Sequence, residues 1–523
     1  MTWRAEDPQG DESRKIKWEV VPYTVGRGLD IGSGPRKIFE HFISVDNCHH
    51  SKFGWLIRPD VEADAQKIDM FASASMDFVF SSHLLEHIDD TAKTLKEWWR
   101  VIKPGGYLVL YLPHKNFYPN VGQPHANQDH KHDFLPDDII GLMKDFGSWD
   151  LVRNEDRNED KEYSFFQVYK KNAAWQNYKD DDTSHKYRYS YKDPKPEKSV
   201  GVVRYGAFGD LIQTSAILAG FKSQGYHVTL YTSDPGFQAV KHDPNIDRVL
   251  LQGKDQVRNE ELIEFWDNEA KKYDKWVNLS ESVEGNWLAM PGRSNHRWPQ
   301  HLRHKHLNVN YLQFMNELAG LPLKPENQRF HPTDAERVWA KQQRAKMHGP
   351  VIVWSMAGSA VHKTWPYLDQ VIARLMLASR NIQVVLVGGP ECVMLESGWE
   401  NEIRVHRRSG IWTIRESLAF LEFADLIIGP ETGVLNAAAM LPIPKIITLS
   451  HSSLENLTRD WINTVSLQPA STDCYPCHQL HYGFEHCRKD ETTGVAACQA
   501  DISPDQLYES VLSCLAPAQS RTA

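Results

Sequence analysis

One stretch restricts the fold of this chain more than any other: Gly201-Val-Val-Arg-Tyr-Gly-Ala-Phe-Gly-Asp210-Leu-Ile-Gln-Thr-Ser215. An apolar strand run ends in a glycine turn, and a helix begins with Asp210 at its mouth. Strands that alternate with helices through tight turns build parallel sheets. Open sheets of this kind bind ligands outside the carboxyl ends of their strands. Asp210 therefore falls where a ligand is expected, and it is the candidate catalytic base. The same strand–glycine pattern recurs at Val25–Gly34, at Pro350–Gly358, and at Ala424–Asn436. The expected fold class is α/β, with several Rossmann-like sheets in series.

A length of 523 residues with 41% apolar content suits three or four compact units, each with its own core. The boundaries read from the sequence are 17–171, a linker over 172–199, then 200–348 and 349–523. The linker is marked by Asp180-Asp-Asp182, scattered lysines, Pro194, Pro196 and interleaved tyrosines, without apolar periodicity. Net charge is -9, which argues against nucleic acid as the main partner. No apolar run reaches the length of a membrane span, and the first residues lack the apolar segment of a signal peptide. A cytoplasmic location is the expectation.

In the first domain, Leu29-Asp30-Ile-Gly32-Ser-Gly34-Pro reads as a strand and a glycine loop able to approach a ligand closely. Asp46 closes a second strand, where a carboxylate takes ribose hydroxyls, and Asp64 follows a third segment. Lys103-Pro-Gly-Gly106 reads as a turn between a helix and the strand Tyr107–Leu112. The loop alone would equally suit a dinucleotide fold. Together with Ser81-Ser-His83-Leu-Leu-Glu86-His87-Ile and Val101-Ile-Lys-Pro-Gly-Gly-Tyr-Leu, it resembles the class I S-adenosylmethionine-dependent methyltransferases. The resemblance implies that Asp30, Gly32 and Gly34 surround the amino-acid part of S-adenosylmethionine. It also implies Asp46 on the ribose and Asp64 near the adenine. His83, Glu86 and His87 are candidates to face the pocket. His125, His130 and His132, with Asp129 and Asp133, read as a polar loop shaping the methyl-acceptor pocket in preference to a metal site, because they lack clean helical ligand spacing.

After the linker the chain reads as two further α/β halves. The first opens with the Asp210 stretch and carries Arg293-Ser-Asn-His-Arg297-Trp-Pro-Gln-His-Leu-Arg303-His-Lys305-His306. That run is either a solvated loop or a patch for an anionic acceptor, since arginine forks match phosphate and carboxylate. The second half contributes Lys363-Thr-Trp-Pro366 and Gly429-Pro-Glu431-Thr432-Gly433, with Asn436 beyond. A glycine turn at a helix start offers free N–H groups to an anion. In order and spacing these motifs resemble the heptosyltransferases of glycosyltransferase family 9, which have the two-lobed GT-B fold. The resemblance implies inverting transfer of a sugar from a nucleotide-sugar donor, typically ADP-heptose. Asp210 would be the base, Lys363 would neutralise the leaving phosphate, and Thr432 and Gly433 would bind the diphosphate, with Glu431 and Asn436 beside them. The family more often has aspartate at the position of Glu431 and histidine at that of Asn436, which leaves the donor open.

Of seven cysteines, Cys474, Cys477, Cys487 and Cys498 crowd into 474–498. Cys-x-x-Cys with two further cysteines is the pattern of a tetrahedral sulfur site for structural zinc or iron. A similar four-cysteine finger occurs in bacterial autotransporter heptosyltransferases, where it holds iron. Three functions follow from the sequence. The first is a bifunctional enzyme that glycosylates and methylates a glycan, lipopolysaccharide or protein acceptor. The second is a glycosyltransferase whose first domain only binds or docks. The third, disfavoured by charge, is a glycosyltransferase acting on nucleic acid.

Overall fold

The computed structural model of the chain describes residues 12–47, 56–147, 149–159, 162–172, 197–252, 257–281 and 288–516. Cys48 and all of the expected linker between 173 and 196 lie outside the described residues. The chain divides into two compact units. One holds the described residues before Glu197 together with Leu250–Lys272, and the other holds Glu197–Val249 and the chain from Tyr273 onward.

The first unit is built on strands β1 (Gly28–Ile31), β2 (Ile43–Asp46), β3 (Val61–Glu62), β4 (Met76–Ser82), β5 (Ile102–Pro113), β6 (Trp149–Arg157) and β7 (Ser164–Lys171). Their order in the sheet is β3-β2-β1-β4-β5-β7-β6, with β7 antiparallel to both neighbours. From β1 the chain winds first toward β3 and then, from β4, the other way. The switch point beside β1 is where such sheets open a crevice. Helix α1 (Thr91–Val101) starts because the Asp90 side chain accepts the Lys93 N–H at 3.0 Å, a cap worth about 1 kcal/mol. Its Leu95, Trp98 and Val101 fall on one face and join Leu29, Ile31, Val79 and Leu110 in the core. The turn expected at Lys103–Gly106 lies inside β5. Pairing steps from Met76 with Ile102 to Phe78 with Tyr107, so those residues bulge out, with Gly105 at φ +85°.

Residues 257–272, which fall within the sequence interval 200–348, pack with this first unit. Their helix Leu262–Ala270 sets Phe265 at 5.7 Å from the Trp18 ring, and Glu261 pairs with Lys17 at 2.7 Å.

The second unit contains two sheets. The smaller has the order β10-β9-β8-β11, from β8 (Ser199–Val203), β9 (His227–Thr232), β10 (Arg248–Leu251) and β11 (Lys275–Asn278), with β8 parallel to β9 and to β11. The larger has the order β14-β13-β12-β15-β16-β17 and is parallel throughout. Its strands are β12 (Val351–Ser355), β13 (Gln383–Val387), β14 (Val405–Arg407), β15 (Leu426–Pro430), β16 (Lys445–Thr448) and β17 (Thr464–Leu467). Each central strand, β8, β12 and β15, is buried along its whole length, which explains their unbroken apolar runs. Helix α2 (Phe208–Ser223) is apolar around its circumference and buries Leu211, Ile212, Ala216, Leu218 and Phe221. It is thus covered on more than one side, as a helix between layers must be. Helices α3 (Gln300–Leu307) and α4 (Gly433–Ala438) complete the elements that carry the sites.

Candidate functional sites

In the first unit the predicted residues gather at the carboxyl edge of β1 and β2. Gly32 and Gly34 take φ of +76° and +57°, which side-chain-bearing residues rarely adopt, and the Gly34 N–H donates to Asp46 Oδ2 at 3.0 Å. Leu84 packs directly under Gly32, where a Cβ would sit 2.7 Å from its side chain. The glycine loop, Asp46 and the segment after β4 therefore form one local structure. Asp30 is 3% exposed; burial, with Asp46 adding to it, pushes its carboxyl up to about 7 despite the Ile38 N–H at 3.3 Å. Asp64 stands apart. It is exposed two residues beyond β3 and caps its own turn by accepting the Gln66 N–H at 2.9 Å.

Among the histidines named from the sequence, only His130 turns inward with Glu86 and His87. Its ring lies 4.7 Å from that of His87, and the side chains of Glu86 and His130 are 1% and 6% exposed. His125 is exposed at φ +72°, and His132 stacks on Phe134 instead. His83 is half-buried with Ser164 Oγ at 3.0 Å, and desolvation, with nearby Lys15 adding to it, drives its imidazole down to about 3. Burial likewise pushes Glu86 up to about 8.

In the second unit, Asp210 is the third residue of α2, not its cap. One carboxylate oxygen accepts the Ala207 N–H at 2.8 Å and the other accepts Arg204 Nη2 at 3.0 Å. The fold-back needs Gly206, since a Cβ there would lie 2.4 Å from the Asp210 carboxylate. Gly209 and Gly433 let the starts of α2 and α4 meet: a Cβ on Gly209 would come within 2.8 Å of Gly433 Cα, and one on Gly433 within 2.2 Å of the Phe208 ring. Gln213 donates to Asn436 Oδ1 at 3.4 Å across the same contact. Tyr311 sits in this neighbourhood. Burial raises its phenol above the ordinary range, and Glu431 and Asp210 both add to the rise.

Glu431 faces inward. It is 5% exposed; one oxygen accepts the N–H groups of Ser450 (2.6 Å) and Ser452 (3.2 Å), and the other pairs with His451 Nδ1. Burial alone would raise this carboxyl, but His451, Lys363 and the Ser450 N–H outweigh it and hold it down at about 2. Thr432 Oγ1 meets Ser355 Oγ at 3.1 Å. Lys363 follows a short loop closed by the bridge between Ala357 and Thr364, and Gly358 lies against its side chain. The sequence reading missed Tyr311 and Ser450-His451-Ser452. The second follows β16 directly, so the strand-end rule that found Asp210 points to it as well.

The four cysteines line one cavity of about 40 Å³, shared with His362, His481 and His486. Burial, then the charges of the neighbouring thiols, raise Cys477 to about 12 and Cys487 to about 11. The basic run 293–306 docks onto this segment. Arg303 donates to the carbonyls of Cys477 (2.7 Å) and Trp298, His304 meets His478 at 3.1 Å, and Gln479 donates to the His296 carbonyl at 2.7 Å. Arg293, Arg297 and Lys305 remain exposed. Among the described residues, the group of three candidate ligand atoms within 4.8 Å of one another is not sulfur but Glu86, His87 and His130.

Residues 29–110 match the family model described as a methyltransferase domain. The chain carries a methyltransferase domain. Over 104 residues it is 30% identical to the malonyl-[acyl-carrier protein] O-methyltransferase of Marinomonas sp. strain MWYL1, a stretch that is 19% of this chain and 34% of that protein. The chain thus spans about a third of the length of that curated relative. Beyond the methyltransferase domain, similar solved structures include the glycosyl transferase family 9 protein of Veillonella parvula, 16% identical, covering 61% of this chain and 98% of that one at a TM-score of 0.44. Another is the E. coli ADP-heptose LPS heptosyltransferase II, 13% identical, with 61% and 98% covered and a TM-score of 0.44. Among the described residues no helix is long and apolar enough to cross a membrane.

Proposed function

We propose that the chain is a bifunctional transferase. Its first unit moves a methyl group from S-adenosylmethionine, and its second moves a sugar from a nucleotide-sugar donor to an acceptor hydroxyl with inversion. The observation that carries this reading is common to both units. Each holds a carboxylate against a glycine turn at the carboxyl edge of its first strand, Asp46 on Gly34 and Asp210 over Gly206.

In the first unit, Gly32, Gly34 and Asp46 suit the amino-acid and ribose parts of S-adenosylmethionine, and exposed Asp64 is free to meet the adenine edge. The bound cofactor supplies an electrophilic methyl group. Asp30, held up at about 7 by burial, faces a cationic sulfonium better as an anion, so cofactor binding would draw its proton off.

In the second unit, the acceptor oxygen attacks the anomeric carbon as the bond to the diphosphate breaks. Asp210 takes the acceptor proton, and Arg204 holds the carboxylate in position. Lys363 neutralises the leaving nucleoside diphosphate beside Thr432, Gly433 and Asn436. Glu431 acts one step back: by anchoring residues 450–452 and His451 it shapes the floor of the site. The ADP-heptose likeness makes a heptose-type donor and a glycan, lipopolysaccharide or protein acceptor the leading candidates, in the cytoplasm.

The four cysteines suit zinc or iron by donor type. In a closed cage with bonds of about 2.3 Å, sulfurs lie about 3.8 Å apart. Cys474, Cys477, Cys487 and Cys498, which line one cavity, would supply those sulfurs. The ion would be structural, pinning the loop onto which Arg303 docks.

The test is Asp210→Asn, assayed by nucleotide release from a panel of sugar donors. Donor affinity stays within twofold and turnover falls by about 10²–10⁴. Near-normal turnover removes Asp210 from the base role.

A further inference from the structure

We propose that Glu86, His87 and His130 form a binding site for a divalent transition-metal cation, separate from the cysteine cluster. The Nε2 atoms of His87 and His130 each lie 3.8 Å from the same oxygen, Glu86 Oε1. All three candidate ligand atoms lie within 4.8 Å of one another. Around a cation with bonds of about 2.1 Å, neighbouring ligands stand about 3.4 Å apart. The two carboxylate–imidazole spacings are a few tenths of an ångström wider, within reach of a side-chain adjustment.

The present contacts leave the Glu86 carboxyl unsatisfied. Both Glu86 oxygens are buried and neither accepts a hydrogen bond from another residue. Such a carboxylate is costly unless something compensates it. The imidazoles do not do so by hydrogen bonding, because 3.8 Å is too long. The tautomer of His87 explains why. Its Nδ1 lies 3.0 Å from the Asp129 carbonyl, a group that only accepts, so the ring proton sits on Nδ1. The Nε2 lone pair then faces the carboxylate oxygen. The 3.8 Å between them is a separation that a shared cation closes. A histidine whose second nitrogen donates to a main-chain carbonyl is the usual state of a metal ligand.

The backbone holds the set in place. The N–H groups of Lys131 and His132 both donate to the Glu86 carbonyl, at 2.8 and 3.2 Å, tying the loop that carries His130 to the turn that carries Glu86 and His87. Entry is through His87, the one half-exposed member, at 29% of its side chain. Two imidazoles and one carboxylate suit zinc, iron or a similar borderline ion and leave coordination positions open. Leu84, two residues before Glu86, supports Gly32 of the methyl-donor loop, so an open position would serve an oxygen of the methyl acceptor. That extension rests on the methyltransferase reading; metal binding measured without substrate does not.

The experiment uses the full chain, stripped with chelator, equilibrated with zinc and analysed for bound metal, alongside Glu86→Gln and His87→Ala. The wild type retains one zinc per chain more than either variant, and calorimetry shows that extra site weakened at least tenfold in both. Equal zinc content in all three proteins overturns the proposal. Should Glu86→Gln fold poorly, His87→Ala alone makes the comparison, because its ring is partly at the surface.

Discussion

Two buried glutamates, one in each unit, meet opposite fates. Glu431 is held down at about 2 because two main-chain N–H groups, His451 and nearby Lys363 offset its burial. Glu86 is as deeply buried but finds no partner outside its own residue, and burial, only partly offset by its own main-chain N–H, sets it at about 8. Burial is common to both, so partners decide the charge. Glu431 is completed by its own chain. Glu86 is left for something else to complete.

The comparison can be broken in order of expected effect. Glu431→Ala removes a paired buried charge and strands His451 with two N–H donors, so it should cost about 3–5 kcal/mol in denaturant unfolding. A loss under about 1 kcal/mol would mean that the pair holds nothing together.

Glu86→Gln should act with the opposite sign. The folded-state pKa of Glu86 lies above the unfolded value of 4.5, so its contribution to stability is lost as pH rises from 4.5 to about 8, at up to about 1.4 kcal/mol per pH unit. The variant lacks that loss and gains on the wild type across the same window in metal-free buffer. Glu431 supplies the reverse slope. Its folded pKa is depressed, so its stability is present above 4.5 and lost as pH falls toward about 2. Parallel unfolding curves for wild type and Glu86→Gln at pH 5 and pH 8 would contradict the assignment. The smallest effect is His87→Ala, which should change metal-free stability by less than about 1 kcal/mol yet abolish the stabilisation that added zinc gives through this site.

Much of the scaffold is legible in the sequence because it is local. The glycine loop at 32–34, Asp46 at the end of β2, and the turn that folds Asp210 back over Gly206 each depend on residues within one strand, turn and helix. Periodicity and turn chemistry encode them directly. The cysteines were legible by spacing, and they do share one cavity. What escaped depends on long-range chain crossings. His130 reaches Glu86 only because the loop 114–135 is pinned by two N–H groups to the Glu86 carbonyl, a contact 45 residues or more apart in sequence. Glu431 looked like a ligand-facing residue beside a glycine turn, and only the loop 450–452 turns it inward. The basic run 293–306 left two readings open. Arg303 is committed to the cysteine segment, whereas Arg293, Arg297 and Lys305 stay on the surface, so the run divides between docking and exposure.

The claim that one chain houses two separate donor sites is tested most directly by calorimetric titration of a single sample of the full chain, first with S-adenosylmethionine and then with ADP. Two independent 1:1 events are predicted, with Asp46→Ala abolishing the first and leaving the second unchanged. A chain that binds ADP but no S-adenosylmethionine, or in which the two ligands compete, would contradict the account.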